Sequence, residues 1–259
     1  MTRHILLSND DGVDAYGLNL MAGILEARDD VRVTVVAPTD QQSATSHSLT
    51  LRVPLRVVEY GPGRYGVTGT PTDSVLVAVE HILRDDPPDL VLSGVNHGSN
   101  MGEDVTYSGT VAAALEGAIM GLPSYALSCT SWHPRSWGAV EAFLTHHLDD
   151  LLGMPLPSGC LLNVNIPDIP ADEVKGIRVC PLGSRRYDDV ISEQRDPRGR
   201  PYLWIGGSGP TWEDVPGTDA VLNQQGYVVI TPLRVDLTHR EALAGLGGLD
   251  HDGPLGTPA

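Results

Sequence analysis

"HILLSNDDGVDAYGLNLMAGILEARDDVRVTVVAP", His4 to Pro38, is the stretch that decides the fold. Its first run, His4 to Ser8, is short and apolar and reads as a buried strand. From Tyr16 to Ala27 the residues Leu18, Leu20, Met21, Ile24 and Leu25 recur at helical spacing on one broad face, and Val31 to Pro38 is a second β-branched run. Strand, helix and strand at this spacing form a βαβ unit, whose two strands lie parallel. The first strand ends in Asn9, Asp10, Asp11 and Gly12, so two like charges stand side by side. Asp-Gly is a turn dipeptide, and on that reading Asp14 caps the helix that follows. A hard divalent cation is the other answer, because it turns the repulsion into ligation by oxygen.

The same alternation continues through the first two thirds of the chain. Leu49 to Val58 and the "RYGVTG" run predict an extended antiparallel excursion. Helical patterns over Pro71 to Leu83, Thr110 to Met120 and Ala139 to Leu152 then alternate with strand patterns at Asp89 to Asn96, Pro123 to Cys129 and "LLNVNIP". Strands apolar on both faces need cover on both sides, which predicts an α/β fold: a doubly wound, mostly parallel sheet in a Rossmann-like three-layer sandwich. After Pro181 the chain turns polar, and Asp196-Pro197-Arg198-Gly199 punctuates a hairpin expected over 184–206, with a late strand at Tyr227 to Leu233. So polar a protrusion is poorly supported alone, which points to packing against a second subunit. Residues 1–243 are expected to form one domain, followed by a flexible Gly/Pro-rich tail over 244–259.

Composition narrows the function. A formal net charge of -16 argues against duplex DNA or an anionic membrane as partner, since either repels the chain at long range. Three cysteines without a CxxC pair suggest neither a disulfide framework nor a zinc ribbon. No basic-then-apolar leader opens the sequence and no run approaches the roughly 18 apolar residues of a membrane span, so a soluble cytoplasmic protein is expected.

In an open α/β sheet ligands bind at the carboxyl ends of the strands. Here those ends lead into Asn9-Asp10-Asp11, into "TDQQSATSHS" and into "NHGSNMGEDVTYSGT", which together offer carboxylates, hydroxyls and amides but no cysteine. Oxygen-only ligation selects Mg²⁺, Mn²⁺ or Ca²⁺, and two aspartates carry too few charges for a tight calcium cage. Ser108-Gly109-Thr110 precede an alanine-rich helix whose free N–H groups and positive dipole end form an anion site. Ser108 also fits an ordinary N-cap. A metal beside an anion site on an acidic chain points to a phosphate ester, whose hydrolysis needs charge neutralisation. Haloacid-dehalogenase phosphatases place their aspartates as DxD, and metal-dependent deacetylases expect an upstream histidine where Ser8-Asn9 stand, so both fit less well. A nucleotide-binding stress module without turnover, or a metal-dependent hydrolase of a non-phosphate substrate, is the alternative from another class.

"ILLSNDDG", "VVAPTDQQSATSHSLT", "GTPTDSV", "LVLSGVNHGSNMGEDVTYSGTVAAALEGAIMGLPSYALS", "LLNVNIP", "DPRGRPYLWIGG" and "GYVVITPL", in this order, resemble the stationary-phase survival protein SurE family of metal-dependent 5'/3'-nucleotidases. The resemblance runs from Arg3 to about Leu233. It implies one Mg²⁺ or Mn²⁺ per subunit held by Asp10, Asp11, Ser43 and Asn96, with Asn9 beside the pair, so that Asp10, Asp11 and Asn9 are the catalytic candidates. It also implies that Asn100, Ser108, Gly109 and Thr110 receive phosphate from nucleoside 5'- and 3'-monophosphates. Some members also shorten polyphosphate, and members form homodimers or homotetramers through an exchanged C-terminal segment. This chain departs from the pattern at His97, across Ser131-Trp132-His133-Pro134 and in the tail after Gly245.

Overall fold

A computed structural model describes residues 2–186, 191–205 and 211–247. The first βαβ unit is β1 (Arg3–Ser8), α1 (Tyr16–Glu26) and β2 (Val31–Pro38), with β1 and β2 parallel and Ile5 level with Val33. α1 buries Leu18, Met21, Ala22 and Leu25 against the sheet, each such leucine contributing about 1.5–3 kcal/mol. No side chain caps this helix: its N-cap is Ala15, whose N–H closes a turn onto the Gly12 carbonyl at 3.0 Å. That turn leaves Asp14 exposed and one position too early, so the cap expected there is not made.

The chain then forms the antiparallel pair β3 (Val57–Gly61) and β4 (Arg64–Val67), α2 (Pro71–Val77), β5 (Leu90–His97), α3 (Gly109–Ile119), β6 (Ser124–Cys129), α4 (Gly138–His146), α5 (Leu148–Leu152), β7 (Cys160–Ile166) and β8 (Ile177–Val179). β9 (Arg185–Arg186), β10 (Ile191–Arg195), β11 (Pro201–Ile205), β12 (Thr211–Trp212), α6 (Asp219–Gln224), β13 (Val228–Arg234) and α7 (Arg240–Leu246) complete it. The main sheet has the order β3-β4-β2-β1-β5-β6-β7-β13-β8, parallel from β4 to β7 and turning antiparallel at β13. α1 and α4 pack on one face through Leu18, Met21, Phe143 and Leu144, while α2 and α3 cover the other through Val75 and Ala113. This is the expected α/β three-layer sandwich with a doubly wound, mostly parallel sheet.

Several element boundaries differ from expectation. The excursion pairs only from Val57, since Pro54 interrupts the ladder and Leu51 stands in solvent. α2 opens on a capping box in which Thr70 accepts from the Asp73 N–H at 3.1 Å and Asp73 accepts from the Thr70 N–H at 2.8 Å. It then widens after Val77, where the Leu83 N–H reaches back five residues to the Ala78 carbonyl at 2.8 Å and lets both side chains stay buried. The helix expected over Ala139 to Leu152 breaks at His147, at φ −124° and ψ −8°, and both pieces still bury their apolar faces through Phe143, Leu144, Leu148 and Leu151.

β10 and β11 form the hairpin, with Asp196 and Gly199 closing its turn at 2.8 Å. β9 and β12 form a second short antiparallel ladder. Residues 187–190 and 206 of the expected 184–206 span lie outside the described residues. α7 runs through residues 244–246 of the expected tail because His239 Nδ1 accepts from the Ala242 N–H and starts a helix there; 248–259 lie outside the described residues. No helix among the described residues is long and apolar enough to cross a membrane. Cys129 and Cys180 are buried free thiols, and burial pushes the Cys129 thiol up to about 12.

Candidate active site

From β1 the chain winds outward to β2, and from the neighbouring β5 it winds the other way to β6 and β7, so the sheet's switch point lies between β1 and β5. The turn leaving β1 carries Asp10 and Asp11. Asn9 braces it with both ends of its amide: Nδ2 donates to the Gly12 carbonyl at 2.9 Å and Oδ1 accepts from the Gly12 N–H at 3.2 Å. The Asn9 side chain is thereby a support for the turn, with its polar atoms engaged within it.

Asp10 is 4 % exposed and lies against the first turn of α3. Its Oδ1 accepts from the Thr110 hydroxyl. A Cβ on Gly109 would stand 2.7 Å from Asp10 Cβ and 3.0 Å from Asp10 Oδ2, so no larger residue fits there without moving the carboxylate. Burial raises the Asp10 pKa to about 6; the Thr110 hydrogen bond opposes that rise and the neighbouring Asp11 charge adds to it. Ser108 is the N-cap of α3, its Oγ accepting from the Val111 N–H at 3.0 Å. Ser108, Gly109 and Thr110 thus turn the positive end of the helix toward Asp10.

Asp11 is held from the next loop. Its Oδ2 accepts from the His97 N–H at 3.2 Å and meets His97 Nδ1 at 2.9 Å. On its other side Gln41 Nε2 donates to Asp11 Oδ1 at 3.5 Å and to Ser43 Oγ at 3.2 Å, linking Ser43 to the pair. The Gln42 N–H donates to the Asp10 carbonyl at 2.7 Å, which ties the loop after β2 to the same turn. Asn96 precedes His97 and donates its Nδ2 to the Gly98 carbonyl at 2.9 Å, which leaves Oδ1 as the atom it can offer a cation. Asn100 is fixed from behind: its N–H donates to Asn165 Oδ1 at 2.8 Å, and its carbonyl accepts from Asn163 Nδ2 at 2.7 Å and Asn165 Nδ2 at 3.0 Å. Its own Nδ2 donates to Ser128 Oγ at 2.8 Å, using one of its two N–H groups.

The donors drawn together around Asp11 are carboxylate, hydroxyl and amide oxygen. Among the described residues no group of three His, Cys, Asp or Glu side chains is placed to hold a metal. A soft or tightly chelating site is therefore absent from that region, whereas a hard cation that keeps part of its water shell fits the set. Beside it opens a cleft of about 490 Å³ lined by Asp11, Ala15, Gln41, His97, Trp132 and His133. A smaller depression of about 270 Å³ is lined by Arg3, Arg28, Asp30 and Asp149, and there the arginine Arg28 already pairs with both aspartates.

Asp10, Asp11, Ser43 and Asn96 were singled out in the sequence, whereas Gln41, Asn163 and Asn165, which hold the loops around them, were not. Gln41 gave no signal in a polar loop. Asn163 and Asn165 did leave one: two amides at period two in a strand otherwise apolar on both faces must serve a buried partner.

The chain matches the family model described as survival protein SurE over residues 5–189. It is 48 % identical over 246 residues to the 5'-nucleotidase SurE of Paramagnetospirillum magneticum, covering 93 % of this chain and 94 % of that one. It is 49 % identical over 247 residues to the protein of the same description from Gemmatimonas aurantiaca, covering 92 % and 95 %. The crystal structure of SurE protein from Aquifex aeolicus superposes with a TM-score of 0.81 at 38 % identity, covering 95 % of this chain and 99 % of that one. A shared fold, shared sequence along almost the whole length and an oxygen cluster at the switch point lead to one conclusion: this chain belongs to the SurE family.

Proposed function

We propose that this chain is a 5'-nucleotidase, a phosphomonoesterase acting on nucleoside monophosphates with the help of one Mg²⁺ or Mn²⁺. The observation that carries the reading is the pair at the switch point, Asp10 buried and Asp11 partly buried at the cleft, where neither carboxylate has an arginine or lysine partner among the described residues. The names of the relatives supply the substrate class.

Asp10, Asp11, Ser43 and Asn96 would hold the ion. When bound, such an ion neutralises charge on phosphate and lowers the pKa of a coordinated water. The chain's own residues fix where that chemistry happens. Thr110 and the α3 N-terminus hold the Asp10 carboxylate still, and His97 and Gln41 do the same for Asp11. Asn100 is anchored by Asn163 and Asn165 so that its remaining N–H can meet a phosphate oxygen. Ser108, Gly109 and Thr110 add the field of the helix end on the same side. The same geometry suits a 3'-phosphate or the end of a polyphosphate. The exposed Ile191, Leu203, Trp204 and Ile205 on the hairpin are apolar surface that a second copy of the chain would cover, giving a homodimer or homotetramer.

Phosphate release from nucleoside 5'- and 3'-monophosphates with Mn²⁺, Mg²⁺, Ca²⁺ or EDTA tests the reading. Release that needs the metal and disappears in Asp11→Asn supports it. Release that survives both EDTA and Asp11→Asn would overturn the site assignment.

A further inference from the structure

We propose that Trp132 is the platform on which the base of the substrate stacks, a reading that rests on the nucleotidase assignment above and adds its specificity element. Trp132 lines the same cleft as Asp11 and His97, yet 61 % of it is exposed, a large aromatic surface left uncovered beside the reaction site. It is not a loose side chain. Gly98, at φ +112°, turns its α carbon to the indole: a Cβ there would stand 3.2, 3.2 and 3.3 Å from Trp132 Cδ2, Cε2 and Cε3. The glycine two residues after Asn96 thus doubles as the support under the indole, while the remaining surface of the ring is left to a ligand.

The loop bearing Trp132 is tied to the same strand end as the loop bearing Asn96. Gly98 and Ser131 both donate their N–H to the Cys129 carbonyl, at 2.9 and 2.8 Å, so the two loops share one anchor. The Asp168 carboxylate accepts from the N–H groups of Arg135 and Ser136 at 3.0 Å. An aromatic surface held rigid within a cleft binds at little ordering cost. Stacking suits a nucleobase because every base has a π-face, and it tolerates changes of base. A phosphate placed at the aspartates, with its base on Trp132, uses both ends of the cleft. Stacking on one aromatic face also predicts weak discrimination between bases, the other polar side chains lining that cleft among the described residues being Asp11, Gln41, His97 and His133.

The test uses the full-length chain and its variants Trp132→Ala and Trp132→Phe, with adenosine 5'-monophosphate and with ribose 5-phosphate, which has the same phosphoester and no base. In Trp132→Ala the ratio of kcat/KM for the nucleotide to kcat/KM for ribose 5-phosphate should fall about tenfold, carried by KM, as expected for loss of one stacking contact. Trp132→Phe should recover most of that loss. Independently of turnover, adenosine 5'-monophosphate should quench tryptophan emission of the wild type in EDTA, ribose 5-phosphate should not, and the quenching should be lost in Trp132→Ala. An unchanged ratio together with unchanged quenching would overturn the platform. Failure of the wild type to hydrolyse either ester would overturn the nucleotidase assignment instead, and the quenching alone would then decide the platform.

Discussion

Two groups of carboxylates on this acidic chain are treated oppositely. Around the depression near Arg3 and Arg28, Asp30 and Asp149 both pair with Arg28 at 2.9 Å, and nearby Asp86 pairs with Arg32. All three aspartates are well exposed, and water screens the pairs. At the switch point Asp10 is buried and Asp11 is partly buried at the cleft, yet their partners there are a threonine, a glutamine and a histidine. The exposed acids carry their own cations, whereas Asp10 and Asp11 have no arginine or lysine partner among the described residues, and the proposed ion would supply that charge. On the proposed reading the exposed cluster is surface and the switch-point pair is the site.

The largest effect expected from this contrast is Asp11→Asn, which should lower phosphate release at least about 100-fold while leaving the urea midpoint within error, because the amide keeps the shape of the carboxylate. A variant with wild-type activity would erase the distinction between the two clusters. Gly109→Ala is next. The added Cβ must push Asp10 aside, and displacements near 1 Å at a reacting centre cost roughly 100-fold in rate, with about 1–3 kcal/mol of overpacking visible in urea unfolding.

Asn165→Ala should destabilise by about 1–3 kcal/mol, because it strands the buried N–H of Asn100, and it should raise KM for phosphate esters by loosening that loop. Urea unfolding and steady-state kinetics together check it.

A smaller, pH-dependent effect is expected at His4, which is 3 % exposed, accepts at Nδ1 from Arg32 and so carries its proton at Nε2 toward Thr34. Burial, reinforced by Arg32, lowers its pKa below the ordinary 6.5, against the opposing pull of Asp86 and Asp89. The unfolded chain then binds more protons than the folded one between the two pKa values, so stability rises with pH through that window and is fully present above 6.5. Urea midpoints at about pH 5.5 and pH 7.5 should differ more in the wild type than in His4→Gln. The smallest effect is Arg28→Ala, which should leave activity unchanged and shift Tm by less than about 2 °C, less again in high salt. A larger loss there would mean that the exposed cluster is also structural.

Much of the fold was legible because parallel strands buried on both faces announce themselves as continuous apolar runs, and Val31–Pro38 matches its observed strand to the residue. The breaks were not. His147 interrupts a helix whose apolar period runs straight through it, and the widening after Val77 keeps every buried side chain buried, so hydrophobic pattern is blind to both. Asp14 looked like a cap because local chemistry allows it; the turn that Asn9 and Gly12 close decided otherwise. At the site, Asp10 and Asp11 were legible as a pair of charges with no nearby counter-ion. Gln41 and the supporting asparagines carry ordinary polar side chains whose worth lies only in what they reach.

By itself, the sequence determined the layer architecture, the sheet edge at which the aspartate pair stands and the oxygen character of the side chains there, because these depend on residue type and local period. Tertiary structure decided which donor meets which partner. Asp10 meets Thr110 a hundred residues away, Asp11 meets His97 and Asn100 meets Asn165, contacts that exist only once the sheet has brought β1, β5, β6 and β7 side by side. It also decided that Trp132 lies on Gly98 and faces the cleft. The physical reason is that a side chain's chemistry is written locally, while its burial and its partners are set by the packing of distant segments.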